Sequence, residues 1–249
     1  MSDNEPTIAE ALGSPNAKIF RTTPVGVAVY PHLLDYDEYQ LKQNGVYQCN
    51  TKLLLDPSAP EVKKFVSDID SLVDQAFEAG KANLKKDWEK ATGNAKAKIK
   101  TAKDGLEKYA PYEDEVDEDG EPTGKLLFKM KTTVRGTDKK TGKDWNREVP
   151  IFDSSNGKIV GEDRNKLKLW GGSKIAVSTQ IYPFVQSGIK KAGISLRISA
   201  VQVVEVAGAE RSADQYGFGT HEGFIAESDD SEEVVHEQTE EEEEFYTFP

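Results

Sequence analysis

From Lys129 to Arg197 the chain interleaves cations with large aromatic rings. That pairing suits a single-stranded nucleic acid, whose backbone follows a basic groove while its unpaired bases stack on flat side chains. Lys129, Lys131 and Arg135 fall at odd positions of one alternating segment, so a strand would hold them on one face. Lys139, Lys140 and Lys143 crowd the turn that follows, and Trp145 and Arg147 lie on the returning chain. Lys174, the triplet Tyr182-Pro183-Phe184, Lys190 and Lys191 in the next turn, and Arg197 complete the set. Residues 125–174 hold thirteen Lys or Arg against six Asp or Glu, a local excess in a chain whose formal net charge is −12. Each ring taken alone is more often a core residue than a base platform. Phe128 and Trp170 are expected in the core, whereas Trp145, Tyr182 and Phe184 stay open between the two roles. As a set, beside the basic face, the residues read as a nucleic-acid-binding surface. A stacked base there would contribute ~1–3 kcal/mol, and phosphate contacts would make affinity fall with salt.

Other chemistries lack their residues. Gly136 to Lys143 approaches a phosphate-binding loop, but the spacing is one residue too long and Asp144 stands where a metal-holding Ser or Thr is needed. No Gly-x-Ser-x-Gly occurs, and none of His32, His221 or His236 lies near an expected nucleophile. With Cys49 as the single cysteine, neither an internal disulfide nor a zinc site is expected. The dense carboxylates sit in runs with no framework to hold a metal rigidly. No catalytic residue, metal or cofactor is therefore expected. No stretch reaches the ~18 apolar residues of a membrane span, and the polar, acidic start is unlike a signal peptide. The expected location is the cytoplasm.

The charge is distributed in blocks. Residues 222–249 hold twelve acids and no Lys or Arg, so removing them leaves a formally neutral chain. A second run, Glu113 to Glu121, holds seven acids, and without both runs the remaining body is about +7. The last block ends Glu240, Glu241, Glu242, Glu243, Glu244, then Phe245, Tyr246, Thr247, Phe248 and Pro249. A plain solubilising tail would not need those rings. Acid followed by aromatics is a short linear motif, offering charge to a basic patch and an anchor to a pocket. The same charge could compete with nucleic acid for the protein's own basic groove. The alternative function is an interaction or chaperone protein that binds basic partners through its acidic runs without touching DNA. Against it stands the basic alternation over residues 129–135. A nuclease using the tail carboxylates ranks below both.

The elements that must position these residues are legible in outline. Residues 1–15 are polar and expected to be flexible. Ile19-Phe20, Val25 to Tyr30 and Gly45 to Leu55 read as strands. Ser58 and Glu61 fit a capping box with Pro60 in the first turn. Val62, Phe65, Val66, Ile69, Leu72, Val73, Ala76 and Phe77 then form an apolar helical stripe, with Gly80 as its expected stop. Lys81 to Lys108 carries nine lysines against four acids and reads as an exposed helix broken near Gly93 and Gly105; a solvated charged face and a DNA-facing arm both fit it. Residues 113–124 are expected as a mobile acidic loop. Beyond Lys125, Leu126, Phe128, Met130, Thr132 and Val134 alternate with the basic set, and a hairpin is expected to return through Trp145 to Phe152. Strands Lys174 to Phe184 and Ile194 to Val206 follow, and residues 208–249 are expected to be a disordered acidic tail. The fold class is mainly β: an OB-fold barrel over residues 16–207 with a helical insertion at about 58–108.

Phe128-Lys129-Met130-Lys131, Asp138-Lys139-Lys140-Thr141, Phe152-Asp153-Ser154 and Gly171-Gly172-Ser173-Lys174, in that order, resemble the single-stranded DNA-binding protein of T-seven-like bacteriophages. The likeness continues through Tyr182-Pro183-Phe184 to the strand Ser199 to Val206, takes in Gly45-Val46-Tyr47, and includes the type of acidic tail. It covers about residues 15 to 207. The resemblance implies an OB-fold with an inserted helix, a homodimer, and a role in phage DNA replication, recombination and repair. It implies a protein that coats single-stranded DNA, promotes annealing, and contacts the phage DNA polymerase and helicase-primase through its tail. It also implies a base-stacking role for Phe184. Thr132-Thr133 stands where the family strand is expected to carry an aromatic, and the tail ends in Pro249 rather than Phe.

Overall fold

The computed structural model describes residues 5–14 and 16–208. The tail residues Glu240 to Glu244, Phe245, Tyr246 and Phe248, with all but the first residue of the expected 208–249 segment, lie outside the described residues. In chain order the elements are α1 (Ile8–Gly13), β1 (Ile19–Thr22), β2 (Gly26–His32), α2 (Glu38–Asn44), β3 (Tyr47–Leu55), α3 (Pro60–Lys90), α4 (Gly93–Asp104), β4 (Glu107–Tyr109), β5 (Tyr112–Val116), β6 (Pro122–Thr137), β7 (Asp144–Asn146), β8 (Ile151–Phe152), α5 (Gly161–Lys166), β9 (Lys174–Gln186) and β10 (Lys191–Glu205).

The fold is mainly β, and its strands form a ring. β2 pairs antiparallel with β3, and β3 with β6. β6 meets β10 in parallel through Leu196↔Met130 and Arg197↔Lys131. β10 runs antiparallel along β9, and β9 returns to β2 at Gly26↔Ile175. β1 extends the sheet from β9, and β4 adds to β10 in parallel. The alternation of β6 is as the sequence indicates: Leu126, Phe128, Met130, Thr132 and Val134 are buried, while Lys129, Lys131 and Arg135 are exposed.

Helix α3 supplies the other wall of the core. Val62, Phe65, Ile69, Leu72, Val73, Ala76 and Phe77 are buried along one stripe, and Phe65 meets Phe128 with ring centres 5.4 Å apart. Each of these side chains larger than alanine contributes roughly 1.5–3 kcal/mol by leaving water. The helix starts differently from the expected capping box. Ala59 is the N-cap and has no side-chain bond, because Asp56 captures the Ser58 N–H at 2.8 Å in a turn of its own. Nor does Gly80 stop the helix, which runs to Lys90. A Cβ at Gly80 would lie 2.8 Å from Val185 Cγ2 and 3.0 Å from Ala192 Cβ, so the glycine lets the helix backbone approach β9 and β10.

Four further expectations are corrected. Within the supposedly flexible start, Thr7 and Glu10 form a reciprocal capping box and Ile8 is buried, which builds α1. Residues 113–124 form a hairpin rather than a loop, because Tyr112 packs on Phe128 and Glu113 pairs with Lys129 across β5 and β6. The return from the 138–143 turn is short: β7 pairs with β6 over only Asp144 to Asn146, and the chain then crosses to set β8 beside β10. Trp170 is 57% exposed rather than in the core, since it lies in the turn before β9, where its carbonyl accepts from Ser173 N–H.

Candidate nucleic-acid interface

The outward faces of β6, β9 and β10 adjoin. Arg197 on β10 is the register partner of both Lys131 on β6 and Gln180 on β9, so these three residues form a row across the sheet. Tyr182 and Phe184 follow Gln180 at two-residue intervals and share its face. Over this face opens a cleft of about 910 Å³. Lys131, Trp145, Arg147, Tyr182, Phe184 and Arg197 line it, together with Val46, Gln48, Tyr109, Thr132, Thr133, Val185, Gln186, Ile189 and Ser195.

The cations and rings are held in fixed relations. Arg147 donates from Nε to the Thr133 carbonyl at 2.7 Å and from Nη2 to Thr132 Oγ1 at 2.6 Å. Its guanidinium lies 5.7 Å from the centre of the Trp145 ring, which is 38% exposed at the cleft edge. The Arg197 guanidinium sits 3.4 Å from the centre of the Tyr182 ring, within cation–π range. Phe184 is braced edge-on by Tyr109 at 5.4 Å. Tyr109 reaches the cleft because Gly193 has no side chain: a Cβ there would lie 2.0 Å from the Tyr109 carbonyl oxygen. Among the described residues, Lys131, Arg147 and Arg197 form no salt bridge. No carboxylate among the described residues pairs with them, so their charge faces the cleft, as a phosphate backbone requires.

The remaining sequence-derived residues lie outside this lining. Lys139, Lys140 and Lys143 occupy the exposed β6–β7 turn next to Trp145. That turn is organised by Asp138, whose carboxylate accepts the Thr141 and Lys140 N–H groups at 2.8 Å and is held below its usual range by them. Lys129 is diverted to Glu113 at 2.5 Å, and Lys174 to Glu205 at 2.6 Å. Arg135 lies over Tyr47, 4.8 Å from its ring centre. Lys190 has φ +54° in the β9–β10 turn, and the Lys191 ammonium lies 5.9 Å from the Tyr109 ring centre. Residue patterning missed Tyr109, Gln48 and Ile189. Tyr109 depends on a three-residue parallel strand, which leaves no periodic signal. Thr132 and Thr133, which interrupt the family's expected aromatic, serve here as the seat of Arg147.

A family model for the single-stranded DNA-binding protein of bacteriophage T7 matches residues 28–206. No curated protein matches the sequence. Among solved structures, gp2.5, a single-stranded DNA-binding protein encoded by bacteriophage T7, aligns with TM-score 0.53 and 22% identity, covering 85% of this chain and 100% of that one. The single-stranded DNA-binding protein of bacteriophage Enc34, in complex with ssDNA, aligns with TM-score 0.43 and 16% identity over 75% of this chain and 86% of that one.

Proposed function

This chain belongs to the family of the bacteriophage T7 single-stranded DNA-binding protein, and from that premise we propose that it binds single-stranded DNA without sequence preference along the β6–β9–β10 face. The family is one of binding proteins, not enzymes. The observation that carries the proposal is the cleft itself, where Lys131, Arg147 and Arg197 alternate with Trp145, Tyr182 and Phe184. The cations follow the backbone, and the rings, with the guanidinium plane of Arg197, offer surfaces on which any base can stack. Lys139, Lys140 and Lys143 extend the positive field beside Trp145, and Lys190 and Lys191 do so at the opposite turn.

The finer fold assignment is the OB-fold. Numbering the ring strands by chain order, β2, β3, β6, β9 and β10 close in the order first, second, third, fifth, fourth and back to first, which supports that assignment. We assign the protein to phage DNA replication, recombination and repair in the host cytoplasm, where it coats exposed strands, promotes annealing and acts as a homodimer. The acidic tail, with Phe245, Tyr246 and Phe248, recruits the phage DNA polymerase and helicase-primase. These assignments rest on the family resemblance and on the tail's composition.

The test is fluorescence anisotropy of labelled oligo-dT and of a mixed-sequence oligonucleotide with the full chain. Both should bind equally, and the logarithm of the binding constant should fall linearly with the logarithm of salt concentration. Trp145→Ala and Phe184→Ala should each weaken binding roughly 5- to 150-fold, the value of one lost base stack. Absence of binding by the unmodified protein would sink the reading and leave the acidic-tailed interaction protein in its place.

A further inference from the structure

The cleft does not end at the two arginines. A second hollow of about 260 Å³ shares Thr132, Arg147 and Arg197 with the first and continues to Lys18, Phe20 and Gln180. The strand register explains the continuity. Phe20 on β1 is the partner of Gln180 on β9, which is the partner of Arg197, so the row across the sheet extends one strand beyond the described site. Phe20 is 47% exposed on that outer face, and Lys18 beside it is also exposed. Glu148 is the carboxylate that borders the hollow, and Arg164 pairs with it at 3.3 Å.

We propose that single-stranded DNA passes between Arg147 and Arg197 and continues onto β1, where Phe20 stacks a further base and Lys18 meets the adjoining phosphate. Arg147 and Arg197 thus divide the path into two segments, one platformed by Trp145, Tyr182 and Phe184, the other by Phe20. The inference rests on the single-stranded DNA reading and adds residues and a direction to it. It is also specific about length, because only a strand long enough to fill the first segment reaches the second.

The experiment titrates the full chain and its Phe20→Ala and Lys18→Gln variants with an oligo-dT ladder of about 4 to 16 nucleotides, the span served by single OB-type sites. Phe20→Ala should leave the shortest oligonucleotides that bind unaffected and weaken the longer ones roughly 5- to 150-fold. Lys18→Gln should lower the salt slope by about one, again only for the longer strands. Thermal unfolding of each variant checks the fold, and Phe20→Leu, which keeps apolar bulk without the ring, replaces Phe20→Ala if the latter is unstable. Equal losses at every length would place Phe20 in the first segment and overturn the continuation. Unchanged affinity at every length, with the unmodified protein binding normally, would overturn it as well. If the unmodified protein bound no oligonucleotide, the functional reading itself would fail.

Discussion

At the scale of single residues, the candidate interface depends on side chains whose positions are fixed by neighbours rather than by their own type. Arg147 is seated by Thr132 and Thr133, and Arg197 by the Tyr182 ring. Behind this layer, Cys49 on β3 shows the opposite use of burial. The residue is 3% exposed, and removal from water, with Asp35 adding to it, pushes the thiol pKa up to about 11. The raised value favours the neutral thiol, a contribution to stability that is fully present below the unfolded pKa and is lost progressively as pH rises from there through the folded value. Cys49 should therefore resist a thiol-alkylating reagent at pH 8 in the native protein and react fully in denaturant, as mass spectrometry would record. Rapid native labelling at that pH would show that β3 opens readily.

At the scale of elements, the decisive contact is between β4 and β10. Gly193→Ala would drive a methyl group into the Tyr109 carbonyl, so β4 must separate from β10. Phe184 then loses its edge-on brace, and affinity for single-stranded DNA should fall several-fold while the ring of strands remains folded; circular dichroism and anisotropy together would check this. No side chain at 193 is visible as a cause in the sequence, which explains why this part of the site was illegible there. The alternation of β6 and the stripe of α3 were legible because each is local: one period brings every second or every third-to-fourth residue to the core. The passage of α3 through Gly80, the short return of β7 and the seat of Arg147 all depend on partners distant in the chain. So does the separation of Lys131, which faces the cleft, from Lys129, which is tied to Glu113 two residues earlier on the same face.

At the scale of the whole molecule, charge is segregated along the chain. The twelve acids of residues 222–249 account for the whole net charge of −12, and the rest of the chain is formally neutral yet sets Lys131, Arg147 and Arg197 together in the cleft. Phosphate and tail carboxylates repel each other, so deleting residues 222–249 should raise affinity for single-stranded DNA at low salt. The gain should shrink as ionic strength rises and the Debye length falls to about 8 Å near 0.15 M. Salt-titrated anisotropy of the truncated and full chains would measure it, and equal or weaker binding by the truncated chain would refute the expectation. The seam between β6 and β10 has a related consequence. It is closed by only two register pairs, and one of them sets Lys131 beside Arg197. Two like charges thus lie across the joint that completes the ring. An anion bridging them would turn that repulsion into attraction, and its occupancy would then be thermodynamically linked to closure, a rivet for the protein that holds it.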